Sequence, residues 1–256
     1  MDSNELSVAL ERTVSIEELT WPDVEAAINA GYRTCVLPSA STEQHGPHLP
    51  LCTDAAIAEK LATRVARRLG NALVAPVIRP GCSDHHMGFA GSMTVPKELL
   101  VDLYTAYARS LAVHGFEVFV LFSAHGGNFG YLDEAGRRIE DEVGQRVVTV
   151  PELGEFIEQQ NAAVGRFGIS AQRSGSHAGY AESSEMLVVR PDLVRREREV
   201  EGHTGPTNEL FDKGMRHYTD NGVLGDARGA EAAHGEAVLA ALTDFIVAKV
   251  EDKLRS

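Results

Sequence analysis

Six of the ten histidines sit in four short glycine-bearing stretches, and the first of these also carries a glutamate and an aspartate. It reads Ser-Thr-Glu-Gln-His-Gly-Pro-His-Leu-Pro-Leu-Cys-Thr-Asp over positions 41–54. Glu43 and His45 are two residues apart, so in extended backbone their side chains leave the same face. Gly46-Pro47 turns the chain. Asp54 opens the next helix, where a carboxylate also suits the helix dipole. Nitrogen and oxygen donors without thiolate make a ligand set for Zn, Mn or Fe. The plainer alternative is a polar loop whose Thr53 and Asp54 only cap a helix.

Three further stretches carry chemistry. Ser123-Ala-His125-Gly-Gly-Asn128 follows an apolar run directly, and its two glycines let the backbone approach a ligand closely. Asn128 either orients that ligand or caps the following helix, and a tight turn with a satisfied histidine explains the same residues. Positions 176–185, Ser-His-Ala-Gly-Tyr-Ala-Glu-Ser-Ser-Glu, set His177 and Glu182 around a small-residue turn. A helix start rich in carboxylates is the alternative there. Gly81 to Ser92 brings His85 and His86, either to line a pocket with His86 in reach of a substrate or as a solvated loop. His114, His203, His217 and His234 stand alone and read as surface residues.

Alternating strands and helices must position these groups. A helix is expected from the Thr20 cap to about Ala30, then a strand over Arg33–Leu37 ended by Pro38-Ser39. Helical spacing runs from Thr53 to Leu69, and a strand follows over Ala72–Ile78. Thr94 caps a long helix that stops at Gly115. Glu117–Phe122 is apolar throughout, as central parallel strands are. A helix over about Gly130–Val143, a strand over Val147–Val150 and an amphipathic helix over about Ala230–Leu254 complete the chain, the last with Val238, Leu242, Phe245, Ile246 and Val250 on one face. Such alternation means an α/β fold with a largely parallel sheet. Ligands of such sheets bind beyond the carboxyl ends of the strands, where the polar stretches fall. The whole chain, 1–256, reads as a single domain, with 1–14 as a flexible N-terminal arm.

Composition narrows the function. With 43% hydrophobic residues the chain can bury a full core, and 37 acids against 24 bases give a net charge of -13 that disfavours nucleic-acid partners. No apolar run is long enough for a membrane span, and the acidic start does not read as a secretory signal. Three scattered cysteines make no disulfide framework, and a cytoplasmic protein is expected. No G-x-S-x-G, H-E-x-x-H, P-loop or G-x-G-x-x-G occurs, so serine hydrolase, zincin, nucleotidase and dinucleotide chemistry lose ground. Cys52, beside the acidic cluster, is poorly placed to be a thiolate nucleophile.

Together these segments resemble the creatininase (creatinine amidohydrolase) family. The stretch from Pro38 to Asp54, the His-Gly-Gly-Asn segment and the His-Ala-Gly-x-x-Glu segment match in order and spacing over roughly residues 15 to 250. Phe89-Ala-Gly-Ser-Met93 is similar to the family's phenylalanine-containing pocket segment, and Asn221 to Asp226 to its C-terminal turn. The resemblance implies a three-layer α/β/α sandwich, a homohexamer and two divalent ions (Zn, Mn or Fe) per chain. By position, Glu43 and His125 would serve one ion, His45 the other, and Asp54 would bridge them. Creatininase proper has a second-metal glutamate where this chain has Gly127, so Glu182 would complete that site or act as general base. His177 would handle the leaving nitrogen.

The family's tryptophans around creatinine have no counterpart beyond Trp21, which disfavours creatinine itself. The expected activity is a metal-dependent amidohydrolase in which activated water cleaves a C–N bond of a small cyclic amide or formamide, with an oxyanion held near Gly126-Gly127. Family members that trim a redox-cofactor precursor peptide supply one alternative. A non-catalytic metal-binding scaffold and isomerase or lyase chemistry on an inositol-like ring supply others.

Overall fold

Four strands, β1 (Thr34–Ser39), β2 (Ala72–Val74), β3 (Val118–Ser123) and β4 (Arg146–Thr149), form one parallel sheet in the order β2-β1-β3-β4. The computed structural model describes residues 3–255. β1 is buried along its whole length and β3 from Phe119 onward, as expected of strands covered on both faces. Among the described residues they are accompanied by ten α-helices: α1 (Ser3–Arg12), α2 (Trp21–Asn29), α3 (Thr53–Leu69), α4 (Lys97–Ala112), α5 (Leu132–Val143), α6 (Leu153–Gly165), α7 (Ala171–Ser174), α8 (Tyr180–Val189), α9 (Leu210–Lys213) and α10 (Ala232–Arg255).

From β1 the chain crosses through α3 to β2 on one side. It then returns through α4 to β3 and through α5 to β4 on the other. Right-handed crossovers therefore put α3 on one face and α4 with α5 on the opposite face. α8 and α10 pack with α3, and α6 packs with α10, which completes an α/β/α sandwich. The strand order reverses between β1 and β3, so their carboxyl ends diverge and leave a crevice there.

Several expected boundaries move for identifiable reasons. Pro38 does not end β1 but lies inside it, opposite Phe122 of β3. Its carbonyl accepts from Ile78 N at 3.0 Å, so its nitrogen faces the side where β2 has already stopped at Val74 and no ladder bond is lost. β2 accordingly spans three residues, with Ile78 in an isolated bridge to Ser39. Thr94 caps no helix. Its hydroxyl accepts from Ser83 N at 2.9 Å, and α4 starts after Pro96. Thr20 does form a capping box with Asp23.

The expected N-terminal arm is structured where it is described. α1 fills most of it, Leu10 and Val14 are buried, and Val74 N donates to Val14 O at 2.9 Å, so this segment covers the outer edge of β2. Residues 1 and 2 of that arm lie outside the described residues. No helix among the described residues is long and apolar enough to cross a membrane.

Candidate metal centre

The crevice between the ends of β1 and β3 collects the polar stretches. Glu43 and His45 arrive on the loop after β1, Asp54 on the first turn of α3, His125 directly after β3, and His177 and Glu182 on the turn into α8. Glu43, His45, Asp54 and His125 are 0–2% exposed and His177 is 7% exposed. Together with His86 and Gly126, all of these except His45 line a cleft of about 180 Å³.

Asp54 stands between two imidazoles. Its Oδ1 is 2.8 Å from His45 Nε2, and its Oδ2 is 3.3 Å from His125 Nδ1. His125 Nδ1 is also 3.1 Å from Glu43 Oε2. Despite these approaches, His45 Nε2 and Asp54 Oδ2 are buried without any hydrogen-bond partner. Buried donors and acceptors are normally satisfied, and converging atoms without hydrogen-bond alignment are what a candidate cation site presents. Two sets of ligand atoms lie within 4.8 Å of one another: Glu43, Asp54 and His125, and Glu43, His45 and His177.

The outer ring nitrogens fix the tautomers. His45 Nδ1 lies 3.2 Å from Glu43 O, His125 Nε2 lies 3.1 Å from Cys82 O, and His177 Nε2 lies 2.7 Å from Gln44 O. Each backbone carbonyl takes the N–H of one ring nitrogen, and the opposite nitrogen points at the carboxylates, that of His45 at Asp54, that of His125 at Glu43 and Asp54, and that of His177 at Glu43. Metal-binding histidines are oriented in this way. Glu43 is held in turn by the Ser83 hydroxyl at 2.7 Å and by His86 Nε2 at 3.2 Å. Gln44 Nε2 reaches His86 Nδ1 at 3.0 Å and Gly222 O at 3.2 Å. The turn at 221–226 therefore braces this shell, and Leu224 pairs with His177 in an antiparallel bridge.

Gly127 has a steric explanation. A Cβ there would collide with the Cys82 carbonyl oxygen and the His125 ring, so the glutamate of creatininase proper has no room in this chain. Glu182 approaches instead, its Oε2 3.9 Å from His45 Nε2. The same oxygen accepts from Ala178 N at 2.5 Å, holding Ala178 at φ 52. A non-glycine residue there costs about 1–3 kcal/mol, and such strain gathers at functional sites.

Other expectations change. Asn128 caps no helix and does not line the cleft. It is fully buried, accepts from Cys82 N at 3.0 Å and donates to Ala40 O at 3.1 Å, tying the loops after β1 and β3 together. Phe89 does not line the cleft but stacks under the Arg216 guanidinium, 3.9 Å from the ring centre. His48, though next to the ligand set, bonds Ser183 Oγ at 2.8 Å. Among the residues expected at the surface, His234 is half-buried against Phe167 and bonds the Tyr180 hydroxyl at 2.9 Å. Sequence reasoning missed the wall formed by Thr207, Asn208, Leu210, Phe211 and Met215. A larger groove around Trp21 and Val113 lies near the amino ends of β1 and β3, away from the donors.

Metal-free, the cluster titrates abnormally. Burial disfavours the His45 imidazolium, but the Asp54, Glu182 and Glu43 carboxylates outweigh it and raise its pKa to about 9. His125 is raised well above the usual value, against burial, by Glu43 and Asp54. Burial would raise Asp54, but His45 and His125 bring it to about 2. Burial pushes Glu182 up to about 7. His177 is held well below the usual value by burial and by His45, and stays neutral.

For groups whose folded pKa is raised, the stabilisation is complete below the unfolded value and is lost as pH climbs through the folded value. His45 loses it between about pH 6.5 and 9 and Glu182 between about pH 4.5 and 7. Burial holds His48, His85, His86 and His177 below the usual value, so their contribution is constant above about pH 7, and the thermal midpoint of the metal-free chain should therefore fall by roughly 5–10 °C between pH 7 and pH 9. Zinc, which needs the deprotonated ligands, should flatten that slope. Calorimetry with and without zinc measures both, and a midpoint rising with pH in the metal-free chain would contradict the cage.

Comparison with known proteins agrees with this geometry. The family described as "Creatininase: Creatinine amidohydrolase" matches residues 17–250. A mycofactocin precursor peptide peptidase of Mycobacterium tuberculosis is 34% identical over 228 residues, covering 84% of this chain and 83% of that protein. A creatinine amidohydrolase of Pseudomonas putida is 29% identical over 247 residues, covering 90% and 93%. Among solved structures, a manganese creatininase superposes with a TM-score of 0.79 at 27% identity, covering 94% of this chain and 98% of that one. A mutant creatininase of Zn-Zn type gives 0.80 at 26% identity with the same coverage. The chain is thus a hydrolase of the creatininase family, whose members act on C–N bonds.

Proposed function

We propose that this chain is a two-metal amidohydrolase that cleaves a C–N bond in a small cyclic amide or formamide. The observation that carries the reading is Asp54, with one oxygen facing His45 and the other facing His125, both imidazoles anchored on backbone carbonyls. Glu43, Asp54 and His125 would hold one divalent ion, and His45, Asp54 and Glu182 the other, with zinc or manganese as the metals. Bound there, the ions supply Lewis-acid polarisation of a carbonyl and acidification of water.

The chain's own residues do the rest. Ser83 and His86 fix Glu43, and the close packing at Gly127 fixes His125. His177 enters neutral, with its Nδ1 lone pair toward the cleft and Glu43 Oε1 3.8 Å away. It accepts a proton at Nδ1 from the attacking water, the nearby carboxylate stabilises the imidazolium, and the proton passes to the departing nitrogen. Gly126, at the cleft wall, stands where backbone can face the oxyanion. Cytoplasmic placement and a homohexamer are expectations that the family resemblance adds to the same reading.

A second reading, trimming of a short precursor peptide, is favoured by the peptidase relatives and by hollows that open from both sides of the cleft. The zinc- or manganese-loaded chain should be tested on N-formyl amines, cyclic amides and tripeptides. Chelator-sensitive hydrolysis of a cyclic amide or formamide is the expected result. Cleavage of peptides alone moves the assignment to the second reading, and no hydrolysis of any of them contradicts both.

A further inference from the structure

The cleft does not end at the metal-ligating residues. A second hollow of about 440 Å³ adjoins it and shares His85, Gly126, Leu153 and Phe211 as a common wall. Beyond that wall the hollow is bounded by Phe129, Tyr131 and Pro151. No lysine or arginine lines it, and its one carboxylate, Asp84, is on an exposed residue. On the other side of the cleft lies a hollow of different character, with Asn161, Gln172, Ser176, His203 and Thr207 in its walls.

Phe211 is the unusual residue in this arrangement. It sits on α9, a four-residue helix beside the 84–86 turn, and meets the His85 ring edge-on with centroids 4.8 Å apart. Yet it is 57% exposed, at the junction of the cleft and the side hollow. Large apolar side chains left open at the rim of a polar cleft characteristically make contact with ligand. An aromatic face so placed favours a flat or bulky apolar partner.

We propose that the side hollow receives a neutral aromatic or bulky apolar group borne by the substrate next to the scissile C–N bond, with Phe211 as the specificity-determining residue that packs against it. The inference rests on the metal-centred amide hydrolysis argued above and extends it from the bond to the substituent. An anionic substituent is disfavoured, because no lysine or arginine lines the hollow while Asp84 does. Small substrates without the group would occupy the cleft alone.

The test uses the full-length, zinc-loaded chain and two hydroxamates, which anchor on a metal through the same head group. Acetohydroxamate fills the cleft only, and phenylacetohydroxamate adds a ring. Titration calorimetry should give roughly tenfold tighter binding for the phenyl compound in the wild type. In Phe211→Ala the ratio of the two affinities should shrink to less than about threefold with zinc content unchanged, while Phe211→Trp retains it. Equal affinities in the wild type, or an unchanged preference in Phe211→Ala, would overturn the assignment while leaving the metal centre standing. Failure of both hydroxamates to bind the zinc-loaded chain would contradict the metal centre, and this inference with it.

Discussion

Asp54→Ala is expected to leave the chain with neither ion after desalting and to reduce amide hydrolysis by roughly 10³-fold or more. The size of the effect follows from geometry. One carboxylate faces both His45 and His125, so its removal takes an oxygen donor from each ion at once and leaves the two imidazoles without the charge that holds them. Asp54→Asn sharpens the test, because it keeps the shape and removes the charge. Elemental analysis of the desalted variants reads the result, with far-UV circular dichroism confirming the fold. Retention of two ions in Asp54→Ala would remove the bridging role.

His177→Ala should behave in the opposite way. Both ions stay bound, while turnover falls by roughly 10²–10⁴-fold and the pH–rate profile loses the limb that the imidazole supplies. The expectation rests on His177 Nε2 donating to Gln44 O and Nδ1 facing the cleft as a proton acceptor. Glu43, His45 and His177 also present ligand atoms within 4.8 Å of one another. Loss of one ion in His177→Ala would therefore make His177 a ligand and pass the proton-carrying role to Glu182. Metal content and the kcat profile, measured on the same preparation, separate the two outcomes.

Periodic parts of the molecule were legible from residues alone. α3 runs over Thr53–Leu69 because apolar spacing and the Gly70 stop both specify it, and β3 follows from an unbroken apolar run. The candidate donors were legible because the turns after β1 and β3 concentrate Glu, His and Asp, and the strand reversal gathers those turns. Three features were not. Pro38 tells nothing of which side of β1 lacks a neighbour, so its place inside the strand depends on where β2 stops. Asn128 bonds to residues 46 and 88 positions away, and no local pattern encodes that. Phe211 belongs to α9, four residues long and too short to show a period in sequence, and it packs on the 84–86 turn. Gly127 is the instructive middle case. Its departure from the family pattern was visible in sequence, but its cause, the Cys82 carbonyl and the His125 ring where a Cβ would stand, is tertiary.

The central claim is that this chain assembles two adjacent ion sites, the second completed by Glu182 in place of a residue at position 127. Metal content per chain, measured by elemental analysis on gently purified wild type and Glu182→Ala, tests it most directly. The arrangement predicts two ions in the wild type and one in Glu182→Ala, with the ion at Glu43, Asp54 and His125 retained. One ion or none in both proteins would contradict a two-metal centre, and two in both would show that Glu182 serves the reaction as a base rather than as a ligand.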